Sequence, residues 1–269
     1  MENQRNERWS QPPVDGDRPN PVHCPSKIPK RNRNHGGDPP MELYLIRHGQ
    51  SFNNTLSNAE GRMSDPPLSE VGERQAKLVA EYLHSSSAKC HYGRESFEEG
   101  FGLDRLYCSA HLRCLNTATE IGERTGLTPE IWIDVHEEMG IWLEGERALP
   151  GLTPAQIRER FPKVKVPGDM GADGWWNRPV ESEEEWVARA GRVAHQLRTE
   201  MAHLDERIAV VTHGGFTKDL LSALVNGGPM DGDSFSTQNT SIARIDFDLR
   251  GFQIRYLNRV EHLPPELVT

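Results

Sequence analysis

A chain of 269 residues, 35% hydrophobic and 26% charged, can bury one sizeable core with a subdomain inserted into it. Its formal net charge of −9 argues against nucleic acid or an anionic membrane as the main partner, because phosphate backbones are bound through net positive potential. The expected partner is a small ligand, and an anionic one requires counter-charges gathered into one pocket. No apolar run approaches the about 20 residues needed to cross a bilayer, and the opening MENQRNERWSQPP has no apolar segment of the signal-peptide kind, so the sequence predicts a soluble, cytoplasmic protein. Cys24, Cys90, Cys108 and Cys114 form no C-x-x-C pair, which predicts free thiols.

Residues 1–40 hold eight of the nineteen prolines and the basic run KIPKRNRNHGG, with almost no aliphatic side chains. Such a composition does not offset its ordering entropy by burial, which predicts a disordered leader, with Met41 a candidate true start. From Met41 onward, β-rich runs (MELYLIR, LDRLYCS, EIWID and RIAVVTH) alternate with helical patterns over 69–84, 111–125 and 214–225. That alternation predicts an α/β fold, a three-layer α/β/α sandwich on a mostly parallel sheet, occupying 41–269. Gly, Pro and Trp between 145 and 186 (LPGLTP, VPGDMGADGWWNRP) interrupt it, and a small inserted cap is expected around 140–186. A helix over about 182–204, opening on SEEE, follows. ARIDFDL and FQIRYLN read as a hairpin or two edge strands turning near Arg250 and Gly251.

Two of the strands end alike, LYLIRHG at 43–49 and IAVVTHG at 208–214. Both place a histidine and a glycine where a parallel strand meets its helix, the edge at which open α/β sheets hold their ligand. The glycines, Gly49 and Gly214, allow a sharp turn and close approach of a ligand. LDRLYCS runs into AHLRCLNTATEI, which sets Arg113 on the first turn of a helix facing the same crevice, and Arg47 directly precedes the first histidine. Two guanidinium forks converging there suit a tetrahedral oxyanion. A neutral imidazole in such a pocket can attack phosphorus while the cations stabilise the equatorial oxygens. The leaving oxygen then needs a proton, and Glu137 is the preferred donor, with Glu138 as the alternative.

These residues resemble the histidine phosphatase superfamily, also called the phosphoglycerate mutase-like family, over essentially all of 41–247. Arg47, His48 and Gly49 match its R-H-G, with Ser51 and Asn54 at the spacing RHG-x-[ST]-x-x-N; DPPLSEVGERQA (65–76) matches D-x-P-L-[ST]-x-x-G-x-x-Q-A; SAHLRCLNTA (109–118) matches the S-x-x-x-R helix entry. The resemblance implies a phosphohistidine mechanism with no metal and no cofactor. His48 would be the nucleophile, Arg47, Arg113 and His213 would hold the phosphoryl group, and Glu137 would act as acid and then activate water. Ser51 and Asn54 would line the rim, and Asn239 would brace the site.

The sequence departs from the family in two places. Ala110 stands where the family has proline, and EEMGIWLEG lacks the Arg and Tyr of the mutase pattern E-R-H-Y-G-x-L, which favours hydrolysis over mutase transfer. Ser51 in place of a second arginine excludes the phytase-like R-H-G-x-R-x-P branch. There is no G-x-x-x-x-G-K-[ST], no H-E-x-x-H, and Cys108 to Arg113 is one residue short of C-x5-R. The expected activity is therefore hydrolysis of a small phosphorylated metabolite selected by the cap. The alternatives are phosphoglycerate mutase-type transfer and a catalytically silent binder of a phosphorylated ligand. Trp175 and Trp176 either pack the cap or stack on an aromatic substrate, and Arg178 is a candidate additional anion contact.

Overall fold

In chain order the elements are β1 (Met41–Arg47), α1 (Glu70–Ser85), β2 (Arg105–Cys108), α2 (Leu112–Thr125), β3 (Pro129–Ile131), α3 (Pro154–Arg160), α4 (Glu183–Gln196), β4 (Glu206–Thr212), α5 (Gly214–Asn226), β5 (Ile242–Asp248) and β6 (Gly251–Arg259). The computed structural model describes residues 41–85, 100–143, 149–227, 235–248 and 250–269. The expected leader over 1–40, with Cys24, and Cys90 lie outside them. All described residues belong to one unit, Pro39–Thr269. Among them no helix is long and apolar enough to cross a membrane.

The six strands make one mixed sheet in the order β3-β2-β4-β1-β5-β6. β3, β2, β4 and β1 run parallel, and β5 and β6 add an antiparallel pair at the β1 edge. Strand alternation sends successive side chains to opposite faces, and both faces of β1 are apolar, so two cores form. Tyr44 and Ile46 join Leu106, Cys108 and Val211 beneath Val79 and Leu83 of α1 and Leu115 and Ile121 of α2. Leu43 and Leu45 join Ile208 and Val210 beneath Ala190 and Val193 of α4 and Phe216 and Leu220 of α5. The result is the three-layer α/β/α arrangement on a mostly parallel sheet. Because β4 lies between β2 and β1, the carboxyl ends of three neighbouring strands meet at one edge. Ile46 pairs with Val211, and Cys108 pairs with Val211 on the other side.

Two expectations need correction. EIWID is not a five-residue strand: β3 stops at Ile131, and Ile133–Val135 is a turn of 3-10 helix that swings the next residues toward the sheet edge. The helix expected over 182–204 stays α-helical only to Gln196 and continues as a π-helical turn, Leu197–Met201. Its start is as the SEEE run suggests, with Ser182 accepting from the Glu185 N–H and the Glu185 carboxylate accepting from the Ser182 N–H at 2.7 Å. The described part of residues 140–186, where a cap was expected, contains α3, entered by a Thr153 capping box with Pro154 at its first turn. Ile157, Phe161, Val164, Trp175 and Trp176 from this region enter the α1/α2-side core.

The loop after β1 lies against the start of α1 so closely that side chains are excluded. A Cβ on Gly72 would sit 2.0 Å from the Gln50 carbonyl oxygen, and one on Gly49 would sit 2.5 Å from the Gly72 carbonyl oxygen. Gln75, one turn along α1, accepts from the Gln50 N–H at 2.7 Å and donates to the Leu267 carbonyl at 2.7 Å. Gly72→Ala is expected to destabilise the fold by about 1–3 kcal/mol, the usual cost of forced overpacking, read as a lowered midpoint in urea with an unchanged m-value. An unchanged midpoint would show that this contact carries no constraint.

Candidate active site

The three strand ends deliver His48, Ser109 and His213 to the same edge. His48 follows β1; its backbone N–H donates to the Thr212 carbonyl at 2.9 Å, and its own carbonyl accepts from Asn239 Nδ2 at 3.0 Å. Asn239 thus braces this loop. The imidazole is 3% exposed, with Nδ1 2.7 Å from the Gly49 carbonyl oxygen. A carbonyl is only an acceptor, so Nδ1 carries the proton and Nε2 keeps its lone pair. Arg113 Nε donates to that lone pair at 3.1 Å. Burial, then the charges of Arg113 and Arg47, hold the His48 pKa well below 6.5, so the ring is neutral.

Arg113 is itself buried, and Nη1 lies 3.6 Å from Asp65 Oδ1. Asp65 also accepts from the Leu112 N–H at 3.1 Å, which serves the open N-terminus of α2. Burial pushes the Asp65 carboxyl up to about 6 while Arg113 and that N–H pull the other way. Arg47, at the end of β1, donates to the Thr237 carbonyl and shares the field of Arg113 and Glu137. A Cβ on Gly214 would stand 3.5 Å from Arg47 Nε, so the second His-Gly pair borders the first arginine.

His213 caps α5, and its ring centroid lies 5.1 Å from that of His48. Its Nε2 is 2.9 Å from Ser109 Oγ and 3.4 Å from Cys114 Sγ, and its Nδ1 is 3.9 Å from Glu137 Oε2. Burial, then Arg113 and the neighbouring histidines, depresses its pKa as well. Cys108 and Cys114 are free and buried, and burial pushes the Cys114 thiol up, which makes it a packing group beside His213 rather than a nucleophile.

Glu137 and Glu138 sit apart in role. Glu137 Oε1 accepts from the Phe216 N–H at 3.0 Å and the Glu138 N–H at 3.1 Å, leaving Oε2 toward His213. This approach to α5 exists because residue 215 is glycine: a Cβ there would be 2.6 Å from Glu137 Oε1 and from Glu138 Cδ. Burial raises the Glu137 pKa, Glu138 repulsion adds to the rise, and Arg113 and the two N–H donors oppose it. Glu138 instead pairs with Lys218 Nζ at 2.8 Å.

The remaining expected residues are more peripheral. Asn54 is exposed and its Oδ1 accepts from Ser51 N–H and Oγ, both at 2.9 Å, so the pair stiffens the turn beyond His48. Arg178 is turned to His136 Nε2 at 3.0 Å and over the Trp176 ring at 4.4 Å. Trp175 and Trp176 are 6% and 2% exposed, which leaves the packing reading of the pair.

Sequence reasoning passed over two histidines. His111 lies between Ser109, 3.2 Å from its Nδ1, and the Gly140 carbonyl, 3.4 Å from its Nε2, and its ring meets those of His213 and Trp175 at 4.7 Å each. His136 meets Trp175 at 5.8 Å and Trp176 at 5.1 Å. A continuous file of rings therefore runs from His48 through His213 and His111 to Trp175 and Trp176. The available signal was adjacency: His111 is two residues from Arg113, and His136 precedes Glu137. Among the described residues no group of three or more His, Cys, Asp or Glu side chains has metal-holding geometry.

This arrangement sets an uncharged imidazole in the field of two guanidiniums, with a carboxyl group whose pKa burial raises on the far side of His213. A sequence profile described as "Histidine phosphatase superfamily (branch 1)" matches residues 43–260. The chain is 28% identical over 214 residues to the probable phosphoglycerate mutase GpmB of Yersinia pestis, covering 77% of this chain and 85% of that one. The native structure of a mycobacterial glucosyl-3-phosphoglycerate phosphatase is 25% identical, with a TM-score of 0.50 over 81% of this chain and 98% of that one. A phosphoserine phosphatase from Entamoeba histolytica, in complex with phosphoserine, shares the fold at 23% identity and a TM-score of 0.54, covering 83% and 100% of the two chains.

Proposed function

The chain belongs to the histidine phosphatase superfamily, branch 1, and from that premise we propose that it hydrolyses a small phosphomonoester through a phosphohistidine on His48, without a metal ion or cofactor. The observation that carries this reading is the 2.7 Å contact of His48 Nδ1 with the Gly49 carbonyl: it assigns the proton to Nδ1 and leaves the lone pair on Nε2, where Arg113 Nε engages it until substrate takes over that donor. When substrate enters, Arg113 and Arg47 turn their donors to the phosphoryl oxygens, with His213 as a third ligand. Nε2 bonds to phosphorus as the ester oxygen leaves, taking its proton from Glu137. Glu137, now a carboxylate, removes a proton from water that attacks the phosphohistidine, and inorganic phosphate departs. Ser51, Asn54 and Gly214 border the entrance in this reading. Arg178 stabilises the wall around His136 and meets the substrate only at its outer end.

The pH dependence follows from the two shifted groups. The His48 pKa lies below its ordinary value, so the nucleophile is lost only as pH falls well below 6.5. The Glu137 pKa lies above its ordinary value, so the acid form persists higher than usual and is lost as pH rises through it. Hydrolysis of an alkyl phosphate is therefore expected to have an acidic optimum. Glu137→Gln should remove the basic limb and slow the alkyl ester by about 10²-fold or more, with a smaller loss on p-nitrophenyl phosphate, whose leaving group needs no proton. If Glu138→Gln shows this pattern and Glu137→Gln does not, the acid is Glu138.

A mutase reading is favoured by the Yersinia relative, and phosphoglycerate appears in its name and in that of the mycobacterial phosphatase. The two are separated with 3-phosphoglycerate in excess EDTA. Stoichiometric free phosphate without isomer exchange supports the hydrolase, and isomer exchange without free phosphate supports the mutase. Loss of turnover in EDTA would contradict the metal-free mechanism.

A further inference from the structure

None of the steps above uses Arg189, the largest of the fully buried side chains, at 1% exposure. We propose that Arg189 on α4 and Glu181 form a positioning pair that holds the loop carrying Glu137 in place for proton donation, an inference that rests on Glu137 being the acid.

The geometry is specific. Arg189 Nε and Nη2 engage the Glu181 carboxylate at 3.0 and 2.8 Å. Nη1 donates to the carbonyls of Asp134 and His136, both at 2.9 Å, and Nη2 reaches the Glu137 carbonyl at 3.3 Å. One planar group therefore grips three carbonyls within four residues. A chain leaving a strand must find new donors for carbonyls the sheet no longer serves, and here a rigid fork supplies them. The guanidinium carbon also lies 5.3 Å from the ring centroid of Phe216, whose N–H holds Glu137 Oε1. The clamp and the carboxyl it aims are thus fixed to the same turn of α5.

Glu181 explains how an arginine can sit there at all. An unpaired cation beside a general acid would favour its carboxylate and weaken proton donation. Glu181, 9% exposed at its side chain, neutralises the guanidinium and leaves its remaining donors for the backbone. It also lies 3.5 Å from His136 Nε2, so the pair extends to the ring file at Trp175 and Trp176. A buried ion pair contributes little net stability against apolar replacements of similar volume. What it adds is direction.

The test uses the full chain with Glu137→Gln, Arg189→Lys, Arg189→Met and the double replacement Arg189→Met/Glu181→Leu. For each, kcat is measured on ethyl phosphate and on p-nitrophenyl phosphate, with the inhibition constant of orthovanadate and the melting temperature. The double replacement is expected to recover the melting temperature lost in Arg189→Met, because no lone buried charge remains. Its ratio of ethyl to p-nitrophenyl turnover should still fall by about tenfold or more, within the range of general acid catalysis, with the vanadate constant within about twofold of native. Arg189→Lys, which keeps the charge without the fork, should recover only part of that ratio and serves as the readout if the double replacement does not fold. A native ratio in both the double replacement and Arg189→Lys would overturn the proposal and leave Arg189 as packing. A native ratio in Glu137→Gln would overturn the acid assignment itself, and the pair's role with it.

Discussion

His48→Ala is expected to lower kcat/KM for p-nitrophenyl phosphate by at least about 10⁴-fold, the scale on which removal of a covalent nucleophile is felt. Among the described residues no neighbour is placed to take over. His213 has Nε2 at Ser109 and Nδ1 facing Glu137, and the thiol of Cys114 is pushed up by burial. The cavity left by an imidazole is flanked by the same two arginines, so orthovanadate should still bind and the protein should melt close to the native temperature. Turnover within about tenfold of native would remove His48 from the mechanism. Loss of vanadate binding together with a collapsed melting temperature would show a fold defect, and His48→Gln, closer in size, would then replace the alanine variant.

The second large effect is that of Arg113→Ala, for which a loss of about 10²–10³ in kcat is expected, or about 2.7–4 kcal/mol, as for deletion of one preorganised charged donor. The magnitude has two sources here. Arg113 is the only side chain found hydrogen-bonded to His48 Nε2 among the described residues, and it is the larger of the two arginine charges, with Arg160, that offset the half-buried Asp65. Its loss should therefore also raise the Asp65 pKa further above about 6. Arg113→Lys keeps a charge but not the fork, and should restore phosphate affinity better than kcat. An alanine variant with weaker binding but native kcat would make Arg113 a ground-state anchor only.

Much of this site was legible because its chemistry sits at fixed places in a repetitive fold. A strand ending in His-Gly appears twice, and parallel register brings the two ends together without any long-range information; Arg113 follows from the helix that must succeed β2. The same reasoning stopped where tertiary contact supplies the meaning. His111 and His136 look like any polar residue near a strand end until Trp175 and Trp176 close over them. Arg189 reads as one more charge on an amphipathic helix, and only the turn at Ile133–Val135 reveals what it grips. That turn is also why EIWID, β-branched and aromatic, is not a full strand: the chain must leave the sheet early to bring Glu137 back to α5. Gly215 shows the converse, a residue easily passed over whose missing side chain makes room for Glu137 and Glu138.

The most direct test of the phosphohistidine is rapid acid-free quenching of the native protein during turnover of a radiolabelled phosphomonoester, followed by alkaline digestion and peptide mapping. The expected result is label that is stable in alkali, lost in acid, carried on the peptide containing His48, and absent from His48→Ala. Label on another residue, or steady turnover with no labelled protein at any quench time, would contradict it.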